Sequence, residues 1–398
     1  LDNAIDAHDL YGDIPGLMQP WFDAEHEDLY GHPGAKGDGV LMGCPVWGMD
    51  YIDRFAAYTI PTLMAPANLA ALKDRCRLVI YHERDAKPYL HRLTAWVRRG
   101  GIEVIFRPIP DDVMGMLARG DYSSRFRTLG VVGNVLTHMA GRAGMGFHML
   151  QPDHLYGVRY FENLLRLGKE HDAVTQMSLN ATLDGVGPEI EKYRTESGAL
   201  AIPDRDLGDM AYRHMHPQCQ LHSMNAAKWP DKLPCSHRLW WQGKDAVHVY
   251  SSHVNAAWLS PGLCLDSPIA FTSTMDTLLP EYVPGDFYVP TVEDEMTFIE
   301  FSDAEKPANR PYVAFKDFAM NFWGSSSFTG EYMPYFSRPS LVPIKPKASF
   351  LTDEEIKRQF GQIVEGLNAT QDSVGLAWMR QKYSSRFARA AALPEVMR

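Results

Sequence analysis

Apolar residues in the first half of the chain come in short runs separated by amphipathic stretches. Gly39-Val-Leu-Met-Gly-Cys-Pro-Val-Trp-Gly48 opens the series as a buried strand that breaks into a loop at Pro45. Residues 50–57 have helical spacing and are followed by Ile60-Pro-Thr-Leu-Met-Ala-Pro66 and a short helix near 68–74. Arg77-Leu-Val-Ile-Tyr-His82 reads as a second strand with Glu83-Arg84-Asp85 at its end. An amphipathic helix over 89–99 is stopped by Gly100-Gly101, and Ile102-Glu-Val-Ile-Phe106 is a third strand. This alternation of strand and helix predicts a parallel, doubly wound α/β sheet. A helix over 122–140 ends in Gly141-Arg-Ala-Gly-Met-Gly146, followed by a fourth strand at 147–150, a helix over 156–167 and a fifth strand over 172–179.

From Gly187 the pattern changes. Residues 203–214 form a helix that begins after a proline and ends in His214-Met-His-Pro217. Arg238-Leu-Trp-Trp-Gln242 and Ala246-Val-His-Val-Tyr-Ser251, joined by Gly243-Lys244-Asp245, predict a hairpin. A loop and strand occupy 283–301, and 305–350, rich in Pro, Ser and aromatic residues, reads as an irregular wrap. Two helices close the chain, over about 352–366 with Thr352 as cap, and over 373–391. The pattern divides the chain into an acidic N-terminal extension (1–38), an α/β domain (39–185), an α+β part (186–304) and a wrap with terminal helices (305–398). No internal repeat interrupts it.

Composition narrows the classes. At 398 residues, 45% hydrophobic and 22% charged, the chain has the make-up of a soluble globular protein with two or three domains or one enlarged one. A formal charge of −10 argues against nucleic acid as a partner, which calls for a basic face. Arg125, Arg127 and Arg142 still supply a local basic cluster suited to a phosphate pocket. Five cysteines, scattered and without a CxxC, read as reduced thiols of a cytoplasmic protein. No run approaches the roughly 18–20 apolar residues of a membrane span, and no stretch before the first domain reads as a secretory signal.

The chemistry concentrates in Gly146-Phe-His-Met-Leu-Gln-Pro-Asp153-His-Leu-Tyr156. An apolar strand here delivers Asp153 to the carboxyl edge of the sheet, where open α/β sheets bind ligands. A carboxylate there can hold a divalent cation and, through it, a diphosphate. The alternative is that Pro152-Asp153 starts a helix, with Asp as its cap. Gly141, Gly144 and Gly146 give GxxGxG after a helix, not the GxGxxG of a dinucleotide fold. Neither a Walker A sequence nor a GxSxG elbow is present.

Other candidates carry two readings each. His214, His216, Cys219 and His222 are zinc ligands or histidines complementing a helix C-terminus. His253 is a metal or phosphate ligand or a core histidine. Glu293, Asp294 and Glu295 include a general base or form a solvated turn. Asp184 is a base or a turn former. Trp240, Trp241 and Trp258 stack on sugar rings or fill the core.

Taken together the segments resemble a GT-A-type nucleotide-diphospho-sugar transferase of a divergent bacterial group. The resembling pieces are Val46-Trp47-Gly48, Tyr51 with Ile60-Pro-Thr-Leu63, Asn68-Leu69, Gln151-Pro-Asp153, the Arg205-Asp-Leu helix ending in His216-Pro217, and the strand leading into Ser252-His253, over about residues 39–300. The resemblance implies a GT-A-like doubly wound, mostly parallel sheet with helices on both faces, and an irregular α+β second half on the acceptor side. It implies nucleotide contacts from Val46, Trp47, His82, Arg142 and Gln151, and Mn²⁺ or Mg²⁺ held by Asp153 and His253. A catalytic carboxylate would come from Asp184, Glu293 or Asp294. The partners implied are a nucleotide-sugar donor and a glycan or glycoconjugate acceptor.

The chain departs from the family's Asp-x-Asp, having a single acid in Pro152-Asp153-His154-Leu155. His154, His253 or arginines would then neutralise the leaving diphosphate. The expected activity is transfer of a sugar to a hydroxyl acceptor, deprotonated by a positioned carboxylate where configuration inverts. Two other classes remain: a nucleotide-binding scaffold without turnover, and a zinc hydrolase built on His214–His222. The aromatic tail from about 305 reads as a homodimer interface or as a belt around the core.

Overall fold

The computed structural model describes residues 20–21, 23–24, 39–119, 122–220, 223–224, 229–230, 238–251, 256–266, 287–303, 312–315 and 338–374. Most of the extension before 39, most of 305–337, the final helix expected beyond 374, and His222, Cys235 and His253 lie outside these residues. The strands in chain order are β1 Val40–Val46, β2 Cys76–His82, β3 Glu103–Pro108, β4 Gly146–Met149, β5 His154–Tyr156, β6 Ala173–Thr175, β7 Asn180–Thr182, β8 Trp229–Pro230, β9 Arg238–Gln242, β10 Ala246–Ser251, β11 Ala256–Leu259, β12 Phe298–Ser302, β13 Tyr312–Val313 and β14 Ser340–Pro343. The architecture is mixed α/β. The chain divides into two units that interleave along the sequence, one of Leu1–His154, Phe161–Val174 and Ala256–Tyr288, the other of Leu155–Tyr160, Thr175–Asn255 and Val289–Arg398.

The first unit is built on a six-stranded sheet in the order β3-β2-β1-β4-β11-β6. β3, β2, β1 and β4 pair in parallel, and β11 runs antiparallel to β4, so the sheet is mixed. Every residue of β1 is buried, which accounts for its continuous apolar run: a strand covered on both faces has no polar side to show. The break expected at Pro45 does not occur, and β1 stays paired with β2 up to Val46 opposite His82. β4 ends at Met149, opposite Gly43, so Pro45 lies where β1 has lost its second neighbour and a missing N–H is tolerated.

Close packing explains two glycines of this unit. A Cβ on Gly43 would lie 2.0 Å from Cδ1 of Leu136, on the helix Tyr122–Ala143. A Cβ on Gly146 would lie 1.9 Å from the ring of Trp258. The β4–β11 pairing is reinforced by His148, whose Nδ1 lies 2.7 Å from the carbonyl oxygen of Ala257. Burial lowers the His148 pKa to about 4, so the ring is neutral and donates from Nδ1.

Between β1 and β2 the chain runs as helix Met49–Arg54, a π-helical turn Phe55–Thr59 and helix Ile60–Leu63, then bends by 82° into helix Pro66–Leu72. Pro61 has no N–H to give to residue 57, and its ring crowds that carbonyl. The preceding turn relaxes to i→i−5 bonding, with the amide of Ile60 donating to Phe55 O. Among the described residues no single helix is long and apolar enough to cross a membrane. This bent pair passes on length and composition alone, and its apolar residues Ile52, Phe55, Ile60, Leu63 and Leu72 are buried in the unit.

The second unit contains sheets β14-β10-β9 and β5-β12-β7 and the pair β13-β8. The expected hairpin is present, with Val247 opposite Gln242 and Ser251 opposite Arg238. Helix Asp353–Val374 is capped as its sequence suggests: Thr352 N donates to Glu355 Oε2 at 2.8 Å, and Glu355 N returns a bond to Thr352 Oγ1 at 3.2 Å. Ile356, Phe360, Ile363 and Leu367 recur at helical spacing and pack on Leu239, Trp241 and Tyr250. The strand expected over 172–179 stops at Thr175, and 176–179 continues as buried coil. There the side-chain amide of Gln176 donates to Met296 O and the amide of Met177 to Ser340 Oγ.

Candidate functional site

The order β3-β2-β1-β4 means that the chain leaves β1 in one direction, through β2 and β3, and returns to its other side with β4. Ligands of open α/β sheets sit at such a reversal, outside the carboxyl ends of the strands. Here those ends are Val46-Trp47-Gly48 after β1, His82-Glu83 after β2 and Leu150-Gln151-Pro152-Asp153 after β4. Register brings them together: Val46 pairs with His82, and the amide of Leu150 donates to Gly43 O. Gly48, exposed and at φ +79°, donates its amide to Glu83 Oε1 at 3.2 Å, tying the ends of β1 and β2. That positive φ favours glycine.

Val46 is fully buried and Trp47 half-buried. His82 is buried, and its Nδ1 lies 2.7 Å from Glu83 O. Burial lowers the His82 pKa, with the Glu83 carbonyl opposing it. The neutral ring donates from Nδ1, which leaves Nε2 as a buried acceptor with no partner among the described residues.

Asp153 is half-buried in the turn between β4 and β5, and no helix begins there. Burial pushes the pKa of the Cys44 thiol on β1 well up, and the negative charge of Asp153 raises it further. The carbonyl oxygens of Pro152 and His154 on either side of it accept from Thr59 Oγ1, each at 2.8 Å.

The structure thus gathers Trp47, His82, Gln151 and Asp153 along one edge of the sheet. It puts Arg142 elsewhere: exposed in the last turn of helix Tyr122–Ala143, it precedes β4 and belongs to that strand's amino end. Asp184 is exposed in the first turn of helix Leu183–Ile190. Asp294 is buried, and its Oδ2 accepts from the amide and hydroxyl of Thr291 in a capping box, whereas Glu293 beside it is exposed. Trp240, Trp241 and Trp258 are 7%, 0% and 5% exposed, so they fill cores and offer no ring face to a sugar.

The histidines of the expected zinc cluster point to different partners. His214 Nε2 lies 2.6 Å from Glu189 Oε1, and His216 Nε2 lies 3.1 Å from Asp303 O. No group of three or more His, Cys, Asp or Glu side chains suited to a metal occurs among the described residues. Sequence reasoning missed Thr59 and the amide–carboxylate tie from Gly48 to Glu83. A threonine two residues before a proline inside a helical pattern was the available signal for the first.

No family model matches the chain, and no curated protein does. Among solved structures it is similar to the apo form of mouse xyloside xylosyltransferase 1, at 11% identity and a TM-score of 0.24, over 36% of this chain and 52% of that one. The match spans about half the length of that chain, and its score is too low to establish a shared fold.

Proposed function

We propose that the chain is a GT-A-type glycosyltransferase that moves a sugar from a nucleotide-diphosphate donor to a hydroxyl of a glycan or glycoconjugate. The observation that carries this reading is the convergence of the carboxyl ends of β1, β2 and β4 at the sheet's switch point, with Asp153 in the turn after β4. Trp47 and Gln151, both half-buried, stand along the same edge for the nucleoside. His82 Nε2 is an acceptor without a partner among the described residues, but the ring is buried at the end of β2 and supports the edge without offering the donor a contact.

Asp153 suits Mn²⁺ or Mg²⁺ held mainly by the donor's own phosphates and by water, since such ions take one or two protein carboxylates beside substrate phosphates. The neighbouring carbonyls of Pro152 and His154 accept from Thr59, and Asp153 is the one acid of this turn. The metal would offset charge developing on the departing diphosphate. Deprotonation of the acceptor calls for a carboxylate. Asp184 and Glu293, both in the second unit, are exposed, whereas Asp294 is spent on its cap. The buried thiols of Cys44, Cys76 and Cys264 are in keeping with a reducing compartment such as the cytoplasm.

The second reading, a nucleotide-binding scaffold without turnover, is favoured by the single carboxylate at 153. Thermal shift with UDP, GDP and CDP, with and without Mn²⁺, tests the donor site. A ligand at 100 times its Kd adds about 2.7 kcal/mol to the native state. One diphosphate raises the melting temperature, and Asp153→Ala removes the rise. A well-folded wild type that none of the three stabilises refutes the donor site. Binding without transfer to any acceptor favours the scaffold.

A further inference from the structure

We infer that Thr59 is a positioning residue whose hydroxyl holds the turn carrying Asp153 in the orientation a diphosphate site requires. The inference rests on the reading of Asp153 given above. Thr59 is fully buried. Its Oγ1 lies 2.8 Å from Pro152 O, 2.8 Å from His154 O and 3.4 Å from Gln151 O. These carbonyls bracket Asp153 in sequence, so one hydroxyl gathers the backbone on both sides of the carboxylate. A hydroxyl has one proton to donate, shared here among converging oxygens. Without it, buried carbonyls would lose their donor at a cost greater than the net worth of the bond.

Thr59 is itself held from below. Its carbonyl accepts from Thr62 Oγ1 at 2.8 Å, and the Thr62 carbonyl accepts from Asn68 Nδ2 at 2.9 Å. Asn68 Oδ1 accepts from the amide of Phe161 at 2.9 Å. All three side chains are fully buried. The relay runs from the Asp153 turn through the bent helices to helix Tyr160–Leu167. Satisfied buried networks of this kind fix one geometry, because every alternative strands a polar group. Thr59 is the last residue of the π-helical turn Phe55–Thr59, and its hydroxyl forms the relay's upper end.

The test compares Thr59→Val, which keeps shape and loses the hydroxyl, with Thr59→Ser, which keeps the hydroxyl. Two readouts are taken: amide hydrogen exchange over 150–155, and calorimetric affinity for UDP, GDP and CDP and their monophosphates with Mn²⁺. In Thr59→Val, exchange across the turn rises at least about tenfold, and affinity for the bound diphosphate falls about tenfold while that for its monophosphate stays. Thr59→Ser behaves as wild type in both. Unchanged exchange in Thr59→Val overturns the clamp, whatever the wild type binds. Equal loss of mono- and diphosphate binding overturns the positioning role, since that is general damage. If the wild type binds no diphosphate, the reading of the site fails, and exchange alone decides the clamp. Should Thr59→Val not fold, Thr59→Ala takes its place, with the same outcomes deciding.

Discussion

At the scale of single residues, burial sets the titration of an acid in the second unit. Asp204, 7% exposed, opens helix Asp204–Arg213, and its Oδ1 accepts the amide of Thr297. Burial raises its pKa to about 6, with the Thr297 amide and hydroxyl opposing and Glu295 adding to the rise. Between about pH 4 and 6 the native state keeps a proton that the unfolded chain has released. Stability therefore falls as pH rises through this window. Asp204→Asn, which retains an oxygen for Thr297, is expected to be more stable than wild type at pH 7 by about 1–3 kcal/mol. The two should converge near pH 4, as read by urea melts across pH; parallel curves over that range would refute the assignment. At Gly43 sterics decide instead. Gly43→Ala puts a methyl into Leu136 and is expected to cost about 1–3 kcal/mol in thermal unfolding, the range of overpacked cores.

At the scale of elements, apolar pattern and capping chemistry specify helix Asp353–Val374, and its docking depends on a few side chains. Phe360 stacks on Tyr250 with ring centroids 4.0 Å apart and meets Trp241 edge-on at 6.1 Å. Phe360→Ala is expected to cost about 3–5 kcal/mol. The loss should appear as weakened protection of the β9–β10 amides in hydrogen exchange; full retention would mean that the helix does not hold the hairpin. The capping box, the hairpin turn and this periodicity were all legible in the sequence because each is local. The π-helical turn at Phe55–Thr59 was not, since a proline in a helical pattern marks a disturbance without saying whether the chain kinks, stops or widens. The coil at 176–179 resembled a strand because burial, not pairing, had selected its apolar residues.

At the scale of the whole molecule, the first unit is completed by a segment distant in sequence. β11, at Ala256–Leu259, enters beside β4 more than a hundred residues after it and antiparallel to it. Ordered strand–helix alternation gave no hint of this, since it describes only consecutive elements. Ligand binding at the carboxyl edges belongs to this scale as well. The stabilisation by one nucleoside diphosphate expected above, and its loss in Asp153→Ala, would register in the transition of the first unit. Arg142 shows how the same topology sorts candidates. Four residues before β4 begins it looks close to Asp153, yet strand polarity assigns it to the amino edge.

The sequence by itself determined the parallel β1–β2–β3–β4 core, the placement of Asp153 after a buried strand, the hairpin and the capped helix. Periodicity, turn residues and caps act over a few positions, and their physics is written in consecutive residues. The tertiary structure alone decided that Trp240, Trp241 and Trp258 are core, that Asp294 is spent on a cap while Glu293 is exposed, that His214 and His216 serve different partners, and that Thr59 reaches the Asp153 turn. Each of these depends on burial or on a contact between residues far apart in the chain. Such contacts are fixed by which surfaces must leave water together, and local pattern carries no record of that.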